Sequence, residues 1–137
     1  MSPDQISLVK SSWQQVLPIK DTAAQLFYTR LFELDPGLRG LFRDDMVEQG
    51  RKLMTMINTV VNHLDQLESI LESVEDLGRR HAGYGVKDLD YDTVGEALIW
   101  TLGQGLGEHF TPPVKLAWVN AYTTLSATMK QAAHTVT

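Results

Sequence analysis

A single histidine, His81, ends an apolar stripe in the segment Glu75-Asp76-Leu77-Gly78-Arg79-Arg80-His81-Ala82-Gly83-Tyr84-Gly85-Val86. On a helix, Val74, Leu77 and His81 fall at i, i+3 and i+7, with Gly83 and Gly85 to stop the run. An imidazole so placed can ligate a metal or carry a proton. It can equally be a satisfied core or boundary residue, the ordinary state of a lone histidine on an apolar face. Three other features bear on it. Leu34-Asp35-Pro36-Gly37-Leu38-Arg39-Gly40-Leu41-Phe42 is a proline-initiated turn that delivers an aromatic, Phe42, to a corner. Tyr28 follows Phe27 in an apolar stretch, so a buried hydroxyl there needs a polar partner. Gln49-Gly50-Arg51-Lys52-Leu53 puts Gln49 and Leu53 on one helical face, with Arg51 and Lys52 turned elsewhere. Gly50 allows close approach of a neighbour. Each residue also has a plainer reading: Phe42 as core, Tyr28 as a core tyrosine bonded to a carbonyl, Gln49 as a solvated helix-start residue.

The elements that must position these groups all read with a helical period. Ser2, Pro3 and Gln5 make a cap, first residue and capping partner for a first helix. Ile6, Val9, Trp13, Val16 and Leu17 form its inner face, and Pro18 ends it. Asp21 is expected to cap a second helix with Phe27, Leu31 and Leu34 inside. Pro36 opens a short helical turn to Phe42, and Arg43-Asp44-Asp45 is a polar corner. A further helix is expected from about Met46 to Leu64, then a looser helix or pair of turns from Leu67 to His81. Asp90 is expected to cap a helix from Tyr91 to about Leu106, weakened at its end by Gly103, Gly105 and Gly107. Thr111-Pro112-Pro113 starts the last helix. The expected fold is all-α, with about seven helices, short connections and no separate helix after Phe42.

The chain of 137 residues fits one domain, 1-137, and a chain of this size buries roughly two-thirds of its unfolded surface. It has no cysteine, which excludes disulfides, thiolate metal sites and cysteine nucleophiles. A net charge of −5 with mixed signs argues against nucleic acid as a partner. No apolar run approaches the roughly 18 residues of a membrane span, and the N-terminus lacks the pattern of a signal peptide. The expectation is a cytoplasmic protein with no membrane partner. Glu-x-x-His pairs of carboxylate-bridged metal bundles are missing, and Glu108-His109 reads as a surface turn.

Taken together, Trp13, the Pro36-to-Phe42 spacing, His81 and the proline-opened last helix resemble the globin family from end to end. Within it, Leu26-Phe27-Tyr28, Arg51-Lys52-Leu53-Met54 and Asp76-Leu77-Gly78-Arg79-Arg80-His81 look most like bacterial single-domain globins of the Hell's Gate kind, relatives of flavohaemoglobin and neuroglobin. The resemblance implies the globin fold and a non-covalent haem b with His81 as its proximal iron ligand. No Cys-x-x-Cys-His is present for covalent attachment. It implies Phe42 stacked on the porphyrin, Leu77 and Val86 on the proximal side and Leu53 on the distal side. Lys52 and Arg80 become partners for the haem propionates. Tyr28 and Gln49 match the family's two distal positions, where hydrogen-bond donors retain dioxygen. Neuroglobins have an iron-binding distal histidine; Gln49 stands there instead, and His63 is more than three turns further on, so an open sixth position is expected.

Tyr91 matches a proximal tyrosine of flavohaemoglobin, but the partner glutamate's position holds Ala133, with His134 beside it, so His81 should be a neutral donor. The implied ligands are the diatomic gases O2, NO and CO, bound tightly and reversibly for oxygen transport or storage. The alternative is nitric oxide detoxification by a nitric oxide dioxygenase. Turnover of that kind would need an external reductase.

Overall fold

The computed structural model describes residues 1–42 and 45–134. Among them run six α-helices joined by short 3-10 turns, with no strand. Helix α1, Pro3–Val16, begins with a capping box: Ser2 Oγ accepts from the Gln5 amide at 3.2 Å, and the Ser2 amide donates to Gln5 Oε1 at 3.4 Å. Pro18 lies in a single 3-10 turn, Leu17–Ile19, that leads straight into α2, Lys20–Leu34. Asp21 therefore does not cap α2. Ile19 occupies the cap position without a side-chain bond, and Asp21 falls inside the first turn, where its charge favours the helix N-terminus.

Pro36–Leu41 is a 3-10 element, opened by Asp35, whose Oδ1 accepts from the Gly37 amide at 3.0 Å. It is one of four 3-10 elements beside the six α-helices among the described residues, where about seven helices were expected. Arg43 and Asp44 lie outside the described residues. Asp45 caps α3, Met46–Asn62, by accepting from the Val47 amide at 2.9 Å. The loose stretch that follows resolves into a 3-10 run, Leu64–Ile70, and α4, Leu71–Gly83. Helix α5, Asp88–Leu106, starts three residues before Tyr91. Asp90 is thus not its cap but its third residue, reaching back to accept from the Lys87 amide at 2.8 Å. The three glycines near its end are tolerated as far as Gly107, whose φ of 56° ends the helix. Helix α6, Pro112–His134, closes the chain's described part.

The main core lies between α1, α3, α5 and α6. Trp13 and Trp118 meet at 6.0 Å with their planes 59° apart. Both indole N–H groups are satisfied: Trp118 Nε1 donates to Ser12 Oγ at 2.8 Å, and Trp13 Nε1 to Asn58 Oδ1 at 2.9 Å. Ser12 in turn donates its O–H to the Leu8 carbonyl at 2.7 Å. An apolar cavity of about 40 Å³ opens in this core beside Val9, Ile57, Leu98 and Trp118. Among the described residues no helix is long and apolar enough to cross a membrane.

Helix α2 packs on α5 and α3, while α4 packs chiefly on α6. Helices α3 and α4 share no comparable interface among the described residues. The two elements that carry Gln49 and His81 are therefore each anchored on a different partner.

Candidate functional site

His81 sits in the last turns of α4, half-buried. Its Nδ1 stands 2.8 Å from the Leu77 carbonyl. A carbonyl can only accept, so Nδ1 carries the proton and Nε2 keeps a free lone pair. Burial pushes the imidazole's pKa down, and the Arg80 guanidinium beside it pushes the same way, against the bond to Leu77. The ring is held neutral, in one tautomer and one orientation, which is the form that ligates a metal. Among the described residues no cluster of three His, Asp or Glu side chains could hold a bare ion. A single imidazole holds a metal where a macrocycle supplies the remaining ligands, as in a haem.

Around His81 the walls are apolar. Leu77 and Val86 pack with Val74, Tyr91 and Met129 in one cluster. The Tyr91 ring lies nearly parallel to the imidazole, with centroids 6.5 Å apart. Its backbone is fixed by Tyr122, whose hydroxyl donates to the Tyr91 carbonyl at 2.6 Å. Burial, helped by the Asp88 charge, raises the Tyr91 phenol above its ordinary value. The Lys130 ammonium lies 5.6 Å from the Tyr91 ring centroid. His134 joins its Nε2 to Asp88 at 2.8 Å and ties the end of α6 to the start of α5. Among the described residues the partner of the His81 ring is the Leu77 carbonyl and not a carboxylate.

A second cluster gathers Phe27, Tyr28, Leu31, Leu38 and Ala97, with Leu41, Phe42, Met46 and Leu53 packed against it. The Tyr28 ring meets Phe42 edge-on at 5.3 Å and Phe27 at 5.0 Å. Its hydroxyl is buried, and desolvation pushes the phenol's pKa up to about 12; a hydrogen bond with the Gln49 side chain draws it back in part. The partner this buried hydroxyl needed is therefore Gln49, from the first turns of α3. Gln49 is half-buried, and its backbone N–H donates to the Asp45 carbonyl at 2.9 Å, so the helix start fixes its main chain. Gly50, one residue on, lets α3 approach α2 until a Cβ built there would stand 3.0 Å from Ala24 Cβ. Leu53 packs on both the main core and this cluster.

The structure thus assembles Tyr28, Gln49, Phe42 and Leu53 in one region, and His81, Leu77, Val86 and Tyr91 in another. Leu41 bridges toward the second, its Cδ2 lying 3.9 Å from the position of a Cβ on Gly85. Lys52 and Arg80 are exposed on α3 and α4. His63 turns Nδ1 back to the Thr59 carbonyl at 2.7 Å, and His109 lies exposed in the 3-10 turn Gly107–His109. Leu41, Val94 and Leu98 line the walls without having been singled out in the sequence, since apolar residues there look like any core. Gly78 is the more informative omission. A glycine inside a helix costs about 1 kcal/mol against alanine and so signals close packing.

A globin family model matches residues 25–129. The chain is 33% identical over 138 aligned residues to a neuroglobin of Chaenocephalus aceratus and to one of Tetraodon nigroviridis. It is 30% identical to neuroglobin-1 of Oncorhynchus mykiss. Each match covers 90% of this chain and 87% of the relative.

Proposed function

This chain belongs to the globin family, and from that premise we propose that its single domain, residues 1-137, holds haem b on His81 and binds dioxygen tightly and reversibly at an iron with an open sixth position. Family membership carries haem-based binding of diatomic gases in general. The finer reading rests on this chain's own residues. The bacterial single-domain kind fits better than the neuroglobin kind because Gln49, not histidine, stands in the first turns of α3 at the distal position.

When bound, the haem supplies the iron that a diatomic ligand coordinates. His81 offers Nε2 to that iron, its Nδ1 proton engaged by Leu77. Tyr28 stays protonated far above neutral pH, so its O–H is a standing donor. The Gln49 amide is a second donor. Neither side chain is an eager iron ligand at neutral pH. Phe42 and Leu53 keep water from the donors, and Leu77 and Val86 do the same around His81. Lys52 and Arg80, exposed on the two flanking helices, are suited to the propionates.

The observation that carries this reading is the buried Tyr28 hydroxyl bonded to Gln49 and flanked by Phe42. The test is the spectrum of the ferrous, haem-loaded protein without added ligand, which should be five-coordinate. His81→Ala should lose haem, or hold it weakly, unless imidazole is supplied. Sharp, split six-coordinate bands in the wild type would refute the open site. Nitric oxide dioxygenation with an external reductase would use the same residues. Stopped-flow mixing of the oxygenated protein with nitric oxide, with and without a reductase, separates turnover from storage.

A further inference from the structure

Among the glycines, the closest approach to a neighbouring element lies one turn from His81, at Gly78. Gly78 is buried on α4 against α6. A Cβ built on it would lie 2.4 Å from the Met129 carbonyl oxygen, 2.7 Å from its Cα and 2.9 Å from its carbonyl carbon. All three are backbone atoms in mid-helix, so no side-chain rotation relieves the overlap. Ordinary contact begins near 3.4 Å, so any side chain would force the helices apart by about 1 Å. The other crowded glycines differ in kind: Gly50 faces a side chain, Ala24 Cβ at 3.0 Å, and Gly95 the Tyr122 ring at 2.8 Å.

His81 cannot compensate for such a shift by itself. Its ring is pinned by the 2.8 Å bond from Nδ1 to the Leu77 carbonyl, on the same helix. Gly78 falls between these two residues. The imidazole therefore travels with α4 as a rigid attachment, and the α4–α6 crossing sets where Nε2 stands. Tyr91, the ring facing the imidazole, belongs to α5 and is held from α6 by Tyr122, so it would not follow α4.

We infer that Gly78 is the positioning residue for His81: the absence of a side chain sets how deeply α4 settles on α6, and through the Leu77–His81 bond it sets the reach of Nε2 toward the iron. This rests on the reading of His81 as the iron ligand. The role is not that of a catalytic residue, since the atoms nearest a Cβ on Gly78 are the Met129 backbone of α6.

The experiment compares the haem-loaded wild type, Gly78→Ala and Gly83→Ala. Gly83 ends the same helix, and a Cβ there meets nothing within 4 Å. The readouts are the iron–histidine stretching band of the ferrous form in resonance Raman, haem transfer to an acceptor globin, and urea unfolding. Gly78→Ala should move the band and speed haem loss by about ten-fold, as overpacking of a close contact predicts; Gly83→Ala should change neither. In a His81→Gly background supplied with imidazole, the free ligand is no longer tied to α4, so adding Gly78→Ala should leave the band where it was. An unmoved band in Gly78→Ala, or an equal shift in Gly83→Ala, overturns the inference. So does a Gly78→Ala protein that fails to fold, which would make the crossing a condition of the fold rather than a setting of the ligand. A wild type with no such band refutes the His81 reading instead. The positioning role is then decided in the haem-free protein by nuclear Overhauser contacts between the His81 and Tyr91 rings. Gly78→Ala should weaken them, and unchanged contacts overturn it.

Discussion

Tyr28→Phe tests the donor assignment with little structural disturbance. The ring is wedged against Phe27, Phe32 and Phe42 at 5.0, 6.1 and 5.3 Å, and phenylalanine keeps every one of those contacts. Only the hydroxyl is lost. Its present partner, Gln49, is half-buried and can turn to water, so no buried polar group is stranded. The cost to folding should stay near the low end for a hydrogen bond, about 0.5 kcal/mol. The cost to oxygen retention should be larger. A net hydrogen bond contributes about 0.5–1.5 kcal/mol, and about 1.5–3 kcal/mol when one partner is charged. Dioxygen on ferrous haem is polarised and falls toward the second range. Since about 1.4 kcal/mol is a factor of ten, oxygen release should quicken ten-fold or more. Gln49→Leu should act in the same direction but less, because its amide has a freer side chain to order. Carbon monoxide is the control, being a poorer hydrogen-bond acceptor, and its release should change much less. The assay is stopped-flow displacement of each gas from wild type and both variants, with thermal midpoints measured in parallel. Oxygen release that is unchanged or slower in Tyr28→Phe refutes the donor role. Equal acceleration of both gases would mean a loosened pocket, and would refute it too.

The same phenol gives a pH signature. It ionises near 10.0 in the unfolded chain and is pushed up to about 12 when folded, so the unfolded chain loses its proton first. Its contribution to stability is then whole below pH 10.0 and is lost as pH rises toward about 12. Urea midpoints across that window should fall less steeply for Tyr28→Phe than for wild type, and parallel curves would count against the burial of the hydroxyl. In the main core, Ser12→Ala removes the acceptor of the Trp118 indole and should cost about 1–3 kcal/mol of unfolding free energy, with haem spectra unchanged. Replacing both Lys52 and Arg80 by alanine should speed haem transfer to an acceptor globin; an unaltered rate removes them as propionate partners.

What the sequence made legible was local. The Ser2-Pro3-Gln5 cap, the turn from Pro36 to Phe42 and the His81-to-Leu77 register are set within one or two turns of chain, where spacing alone decides them. Helix starts were less legible. Asp21 and Asp90 are both helix-favouring acids near an N-terminus, yet each lies inside its helix. Pattern does not say which of several adjacent residues leaves the helical backbone; in the structure it is Ile19 before α2, and Lys87 before α5, to which Asp90 reaches back. Other contacts between distant segments were not legible from local pattern. Nothing near His134 points to Asp88, and nothing near Gly78 points to Met129.

The two glycines nonetheless carry a readable sign once their positions are compared. Each sits inside a helix, where it costs about 1 kcal/mol that packing must return. One directly follows Gln49 and the other precedes His81 by three residues. Gly50 brings α3 close to α2 at Ala24, and Gly78 brings α4 close to α6 at Met129. Each crossing ties its helix to a different partner, α3 to α2 and α4 to α6, and α3 and α4 share no comparable interface among the described residues. A site built from residues on two helices needs those helices held apart as firmly as it needs the residues themselves. In the site proposed for this chain, that separation would be supplied by anchoring each helix to a different neighbour through a residue with no side chain. That arrangement explains why the polar pair on one side and the imidazole on the other are each fixed by bonds on their own side, Tyr28 to Gln49 and His81 to Leu77, rather than by bonds to one another.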